Sequence, residues 1–317
     1  MLITNTRIYF ATDIHGSAKC WIKFLNAAEY YEADVLVLGG DMTGKAVIPI
    51  IEQPDGNHKA TYQDHKLVLK SNEEVEDLIA KSKNAGYYPY VTDYKEIEEL
   101  KAEPEKIDEL FLNFMIERIK EWMQIADEKL KGTEIQCYVC PGNDDEFEVD
   151  PIIEKAKRVD LAEGRVFKID EYHEMISTGW TNPTPWHTYR ECGEEEIAKR
   201  IEAMTSQVQD MPNAVFNIHA PPYKSLLDEA PELDENLRPK YGGRVTAPVG
   251  SVAVRDALKK YQPLLGLFGH IHEGKGESQF GRTLCINPGS SYEQGSLLGA
   301  VVNLGENKIK NYYLTVG

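Results

Sequence analysis

The sequence predicts a layered α/β fold, and three observations carry that prediction. Short apolar runs recur along the chain, each ending in a glycine-rich or polar turn: RIYFAT before Asp13, VLVLGG before Asp41, IQCYVCPG before Asn143, AVFNI before His219 and LLGLFG before His270. Runs of this length without polar alternation read as strands buried on both faces. Between the first two, Trp21, Phe24, Leu25 and Ala28 recur at helical spacing, so the chain opens β-α-β. Finally, 317 residues with 42% hydrophobic and 27% charged side chains match an ordinary globular chain. Such a chain buries roughly three quarters of its extended-state surface.

Residues 42 to 133 separate the second run from the third by far more than a crossover needs, and read as an α+β insertion. Its first part has hairpin character. AVIPIIEQ and KATYQ flank the turn Pro54, Asp55, Gly56 and Asn57, and KLVLK follows as another strand. Its second part reads as helix: Pro104 ends one charged segment, and Ile107, Leu110, Phe111, Phe114, Ile119, Trp122 and Ile125 trace an apolar face up to Gly132. Two readings stand side by side, helices packed on the core or a cap beside the strand ends. Further on, RVFKI and YHEMISTGW read as strands and EEEIAKRIEAMTSQV as an amphipathic helix. GAVVNL and KIKNYYLTV close the chain as a hairpin. No repeat or low-complexity tract divides residues 1–317, which read as one domain carrying the insertion.

Asp and Glu number 52 against 35 Lys and Arg, a formal charge of −17 that repels nucleic-acid backbones and anionic membrane surfaces. Long polyanions and membranes are therefore not the expected partners. The five cysteines, Cys20, Cys137, Cys140, Cys192 and Cys285, are odd in number and lack framework spacing, so reduced thiols are expected. Cys137 and Cys140 form a C-x-x-C inside an apolar strand that points them to opposite faces, which argues against redox or zinc use. The opening MLITNTRIYFATD lacks a basic region followed by an apolar stretch, and no run approaches eighteen apolar residues. A cytoplasmic protein is expected.

The chemistry lies just beyond the strand ends. Asp13-x-His15, Gly40-Asp41, Gly142-Asn143, His219 and His270-x-His272 place four imidazoles, two carboxylates and one amide at successive exits. The carboxyl ends of parallel strands converge on one crevice, so residues distant in sequence meet there. Imidazole, carboxylate and amide oxygen together suit borderline first-row cations, and a carboxylate can bridge two of them. Each element alone is commonplace, since a strand-end Asp often merely caps a helix. Five in order, using four of the eight histidines, point to a dinuclear metal site. His58, His65, His173 and His187 have no such context and receive no ligand role.

The ordered set DIH, GGD, GNDD, NIHAPP and GHIH resembles the calcineurin-like metallophosphoesterase superfamily, whose pattern runs D-x-H, G-D, G-N-H-D/E, H, G-H-x-H. The trailing Asn287, Pro288, Gly289 and Ser290 fit the same resemblance. The stretch from HAPP to GHIHEGKG is similar to predicted phosphoesterases related to the Icc protein. The resemblance implies a β-sandwich flanked by helices. It places Asp13, His15 and His272 on one metal and Asn143, His219 and His270 on the other, with Asp41 bridging. It also implies two divalent cations (Mn, Fe, Zn or Ni), which lower the pKa of a water between them and neutralise charge as the leaving oxygen departs. Metal charge reverses the local field, so a net −17 still admits a small phosphorylated substrate.

One departure stands out: the family's G-N-H histidine, which stabilises phosphate or protonates the leaving group, is Asp144 here. An Asp with a raised pKa can act as an acid, whereas neighbouring cations favour its ionised form. Substrate-contact candidates are Trp186, His187, Tyr189 and Arg190 in the loop TNPTPWHTYRE, and Tyr223 after His219. The same loop also reads as Pro-rich chain packed by its own aromatics. Gly250 and Ser251 precede a helix, as an anion site or a plain N-cap. The leading function is hydrolysis of a small phosphomonoester, phosphodiester or nucleotide by in-line attack. The alternatives are a DNA or RNA nuclease, since repair nucleases share this metal site, and a non-catalytic scaffold of the kind retromer uses. Metal identity and oligomeric state are left open.

Overall fold

The protein is described here by a computed structural model covering residues 5–317. Residues 1–4, where the expectation of no leader begins, lie outside the described residues.

Two six-stranded sheets lie face to face. The first runs, in spatial order, Lys308–Val316, Leu298–Gly305, Thr6–Ala11, Val35–Leu38, Gln136–Val139 and Asp160–Leu161. The second runs Gly276–Phe280, Thr283–Asn287, Leu265–Leu267, Val215–Ile218, Glu174–Thr178 and Arg165–Lys168. In the first sheet, Thr6–Ala11, Val35–Leu38 and Gln136–Val139 are parallel neighbours. In the second, Glu174–Thr178, Val215–Ile218, Leu265–Leu267 and Thr283–Asn287 are parallel neighbours. Antiparallel strands close three of the four edges, and Asp160–Leu161 closes the fourth in parallel with Gln136–Val139. Every apolar run that ends in a candidate ligand is thus a central parallel strand.

Both faces of those strands are covered, which explains the uninterrupted apolar sequence. Between the sheets, Ile8, Phe10, Val35 and Val37 meet Val215, Leu265, Leu267 and Ile286. Outside the first sheet, Leu36, Leu38 and Val139 pack on helices Ala18–Tyr30 and Pro104–Lys129 through Phe24, Ile119 and Trp122. Trp21 stacks on Trp122 with centroids 5.0 Å apart, a contact worth about 1 kcal/mol beyond its buried area. Outside the second sheet, Ile176, Phe216 and Ile218 face helices Glu194–Thr205 and Val252–Tyr261. Cys137 joins the outer core and Cys140 the inner one, the opposite faces that strand alternation requires. All five thiols are free.

The insertion builds a sheet of its own, ordered His65–Leu69, His58–Tyr62, Val47–Glu52 and Tyr88–Thr92, with helix Asn72–Asn84 over Ile50, Ala60 and Leu69. Tyr88–Thr92 was not among the strands expected from sequence. Pro89 interrupts its pattern, and an edge strand tolerates that proline because one side needs no donor. Pro104 starts the long helix rather than merely ending the segment before it, since its missing N–H is unneeded there. That helix lies on the first sheet, as the packed-helix reading held. Among the described residues, no helix is long and apolar enough to cross a membrane.

Candidate metal centre

Because the central strands of each sheet are parallel, their exit loops collect at one end of the sandwich. Asp13, Asp41 and Asn143 leave the first sheet there, and His219, His270 and His272 leave the second. The backbone ties neighbouring exits together, with Asp13 N–H donating to Gly40 C=O at 3.0 Å and Gly269 N–H to His219 C=O at 3.0 Å. Across the sheets, His219 Nδ1 lies 3.0 Å from Gly39 C=O, which makes Nδ1 the protonated nitrogen and leaves Nε2 aimed into the site.

Two groups of ligand atoms result. Asp13, His15 and His272 form one: His272 Nε2 is 3.4 Å from Asp13 Oδ1 and 3.0 Å from His15 Nε2. Asp41, His219 and His270 form the other, with His219 Nε2 3.3 Å from Asp41 Oδ1. Asp41 Oδ2 lies 3.6 Å from His15 Nε2, so the carboxylate of Asp41 faces both groups. Asn143 spends its amide N–H groups on Thr188 Oγ1 at 2.8 Å and Asp144 Oδ1 at 3.0 Å, leaving Oδ1 buried without a partner.

Four of these residues, Asp13, His15, Asp41 and His270, have left-handed backbone, with φ of 53°, 36°, 49° and 67°. Asp and His enter that region more readily than most residues, and the strain is about 1–3 kcal/mol each. Small neighbours make room. A Cβ on Gly40, at φ 141°, would stand 2.1 Å from His219 Nδ1, and one on Gly142 would stand 2.2 Å from Asp41 Oδ1. These contacts explain the glycines before Asp41 and Asn143.

The donor set fits divalent cations. Imidazole nitrogens, carboxylates and an amide oxygen converge, and His219 Nε2, Asn143 Oδ1 and His15 Nδ1 are buried polar atoms with no hydrogen-bond partner. Such atoms are costly unless something coordinates them. By the protein's own groups alone, burial opposes charge on His219, but Asp41 and Asp13 outweigh it and push the imidazole up to about 9. Burial, with His219 beside it, pushes His270 down to about 4. Burial likewise opposes charge on Asp41, yet His219 and His15 hold its carboxyl well below the usual range.

Asp144 stands at the rim. Its N–H donates to Asp41 Oδ1 at 3.0 Å, and its Oδ2 lies 3.8 Å from His15 Nδ1. Burial and Asp41 push its carboxyl up to about 6 against the pull of Lys45, whose Nζ is 2.9 Å from Oδ2. Lys45 escaped notice in the sequence because nothing local marks it. Asp145 escaped too: its buried carboxylate accepts from the N–H groups of Met42, Thr43 and Gly142, clamping the Asp41 loop to the Asn143 loop. Asn287 was noticed only through the family pattern, and its amide donates to the carbonyls of Gly269 and Ile271, bracing the His270 loop. Tyr292 packs over His15 at 4.7 Å between centroids. It also borders a polar hollow of about 260 Å³, shared with His272, Ser290, Ser291 and Glu293.

The substrate-contact candidates separate. Trp186 is 62% exposed, and His187 and Tyr189 are exposed beside it. Their loop is tied by the Glu191 carboxylate, which accepts from Thr184 and Thr188, and Thr188 joins it to Asn143. Tyr223 is half-buried, with Lys224 Nζ 5.3 Å from its ring centre. Arg190 does not fit a phosphate-holding role. Its side chain is 1% exposed, forms a two-point ion pair with Asp150, and donates to the carbonyls of Asp145 and Glu146. Of the two readings of Gly250 and Ser251, the structure has the plain N-cap: Ser251 caps its helix, and Glu194 occupies the same N-terminus by accepting from Val252 N–H, Ala253 N–H and the Ser251 hydroxyl. Of the remaining histidines, His173 is bound to Asp170 through Nδ1 at 2.8 Å.

No family model matches the chain. MJ1162 of Methanocaldococcus jannaschii, a protein described as uncharacterized, is 29% identical over 175 residues, or 55% of this chain and 70% of that protein. One solved structure, 15% identical, aligns over 99% of both chains with a TM-score of 0.57. TT1561 of Thermus thermophilus, 14% identical, aligns over 99% of both chains with a TM-score of 0.52. At these identities the structural likenesses bear on fold alone. That fold is the layered, helix-flanked sandwich of the calcineurin-like metallophosphoesterases.

Proposed function

We propose that this chain is a metal-dependent phosphoesterase that hydrolyses a small phosphomonoester, phosphodiester or nucleotide. The observation that carries the reading is the convergence of Asp13, His15, Asp41, Asn143, His219, His270 and His272 at one end of the sandwich, with two of their ligand atoms, His219 Nε2 and Asn143 Oδ1, buried and unpartnered. Asp13, His15 and His272 would hold one divalent cation and Asn143, His219 and His270 the other, with Asp41 shared. Mn, Fe, Zn or Ni suits that donor set. The cations would supply Lewis acidity toward phosphoryl oxygens and an activated water for in-line displacement.

The chain's own residues do the positioning. Gly39 C=O fixes the His219 tautomer, Asp145 locks two ligand loops together, and Asn287 braces a third. Asp13 accepts the His270 backbone N–H at 3.0 Å, which sets the turn between His270 and its neighbour His272. The Trp186, His187 and Tyr189 loop, joined to Asn143 through Thr188, is the proposed wall for the organic part of the substrate. A charge of −17 supports a small substrate over a nucleic-acid polymer, and five free thiols support a reducing, cytoplasmic setting.

The test is hydrolysis of activated phosphomonoesters and phosphodiesters by metal-stripped protein with Mn²⁺ restored, beside His219→Ala. Metal-dependent turnover lost in the variant is expected. A folded wild type that binds no divalent cation sinks the reading.

A further inference from the structure

The geometry points to Lys45 as a phosphate-binding residue of this site, supplying from the insertion the positive charge that the G-N-H histidine would otherwise bring. This inference rests on the phosphoesterase reading and adds a residue that the ligand pattern does not contain.

Three observations support it. The Lys45 ammonium sits at the rim of the centre, 2.9 Å from Asp144 Oδ2, while the same oxygen lies 3.8 Å from His15 Nδ1. Burial pulls the ammonium down, but Asp144, Asp41 and Asp13 together raise it, so it is a permanent cation facing the ligand carboxylates. Its side chain is 46% exposed and can be reached from solvent.

The backbone leading to it is also fixed. Met42 and Thr43 are held by the buried Asp145 carboxylate, and Gly44 N–H donates to the Tyr88 hydroxyl at 2.8 Å. Gly44 is pressed so close to Gly86 C=O that a Cβ there would stand 2.1 Å away. Lys45 therefore leaves a clamped turn, and Asp144 steers its end. A preorganised ammonium beside two cations complements a phosphoryl oxygen and needs no rearrangement to meet it. The Asp144 at the family's histidine position thus becomes a positioning residue that holds Lys45.

A competing role is plain neutralisation of three crowded carboxylates, and the experiment separates the two. Binding of inorganic phosphate and of Mn²⁺ would be measured by calorimetry on wild type, Lys45→Met and Lys45→Arg, with phosphate titrated into Mn²⁺-loaded protein. Lys45→Met is expected to weaken phosphate binding about tenfold or more, the loss of one charge-assisted hydrogen bond, while Mn²⁺ affinity holds or rises. Lys45→Arg should stay within about threefold of wild type, because the charge is kept. Unchanged phosphate affinity in Lys45→Met overturns the inference, as does Mn²⁺-loaded wild type with no measurable phosphate affinity. A parallel fall in Mn²⁺ affinity also overturns it, since Lys45 would then be supporting the loop. Wild type that takes up no Mn²⁺ or other divalent ion instead removes the phosphoesterase reading beneath it.

Discussion

Around the candidate ligands, most polar contacts come from backbone or side chains remote in sequence: Gly39 for His219, Asp145 for the Asp41 loop, and Asn287 for the His270 loop. The inserted sheet is held differently. Ile50, Ala60, Leu69, Val75 and Leu78 form a small core of their own, and the strands His58–Tyr62 and His65–Leu69 are largely exposed. Structural tolerance and chemical demand are thus segregated. The sandwich end permits little variation because three cores and several sequence-distant clamps share it. The inserted sheet can vary while the insertion lends the site one side chain, Lys45, and two hydroxyl clamps, Thr43 on Asp145 and Tyr88 on Gly44.

The sharpest way to break this contrast is to remove a ligand. His219→Ala should lower kcat/KM by more than the ~100-fold that changes outside the ligand set typically cost, with an unchanged circular-dichroism spectrum. Substantial residual turnover would mean that the second sheet contributes no metal ligand through His219. Next in size is Arg190→Ala, which empties a buried side-chain site, leaves the carbonyls of Asp145 and Glu146 without their donor and unpairs the half-buried Asp150. It should destabilise the protein by about 3–5 kcal/mol in denaturant titration. In the fraction that stays folded, KM should change little, and a selective rise in KM would restore Arg190 as a substrate contact.

Ile50→Ala tests the other side of the comparison. It should cost about 2–4 kcal/mol, seen as faster hydrogen exchange in the inserted sheet while the central strands keep their protection. Equal loss in both regions would show that the two are one cooperative unit. The smallest effect concerns protons. In metal-free protein the His219 pKa is raised from 6.5 to about 9, so its charged form adds stability fully present below 6.5 and lost as pH rises through 9. Cation binding at pH 8 should therefore release close to one proton from this residue, read by calorimetry in buffers of different ionisation enthalpy. No release would place the His219 pKa well below 8.

Much of the sandwich was legible because buried parallel strands advertise themselves as apolar runs, and the glycine, Asp, Asn or His after each run marks its exit. What was not legible depends on pairing across long stretches of chain. Tyr88–Thr92 pairs with Val47–Glu52 through parallel register, and no turn links the two in sequence. Arg190 reads like any loop arginine until Asp150, forty residues earlier, is brought against it. Lys45 gains its meaning only when Asp144 folds over it. Composition and spacing report burial and periodicity. Which charge meets which is decided by the fold.

The left-handed backbone at Asp13, His15, Asp41 and His270 makes the centre hard to transplant. A designer who copied only the seven candidate ligand side chains onto another scaffold would lose their arrangement, because ordinary turns would relax those four residues and swing their side chains away. The portable unit is larger than the ligand list. It includes the glycines pressed against His219 and Asp41, the Asp145 clamp and the paired sheets behind them.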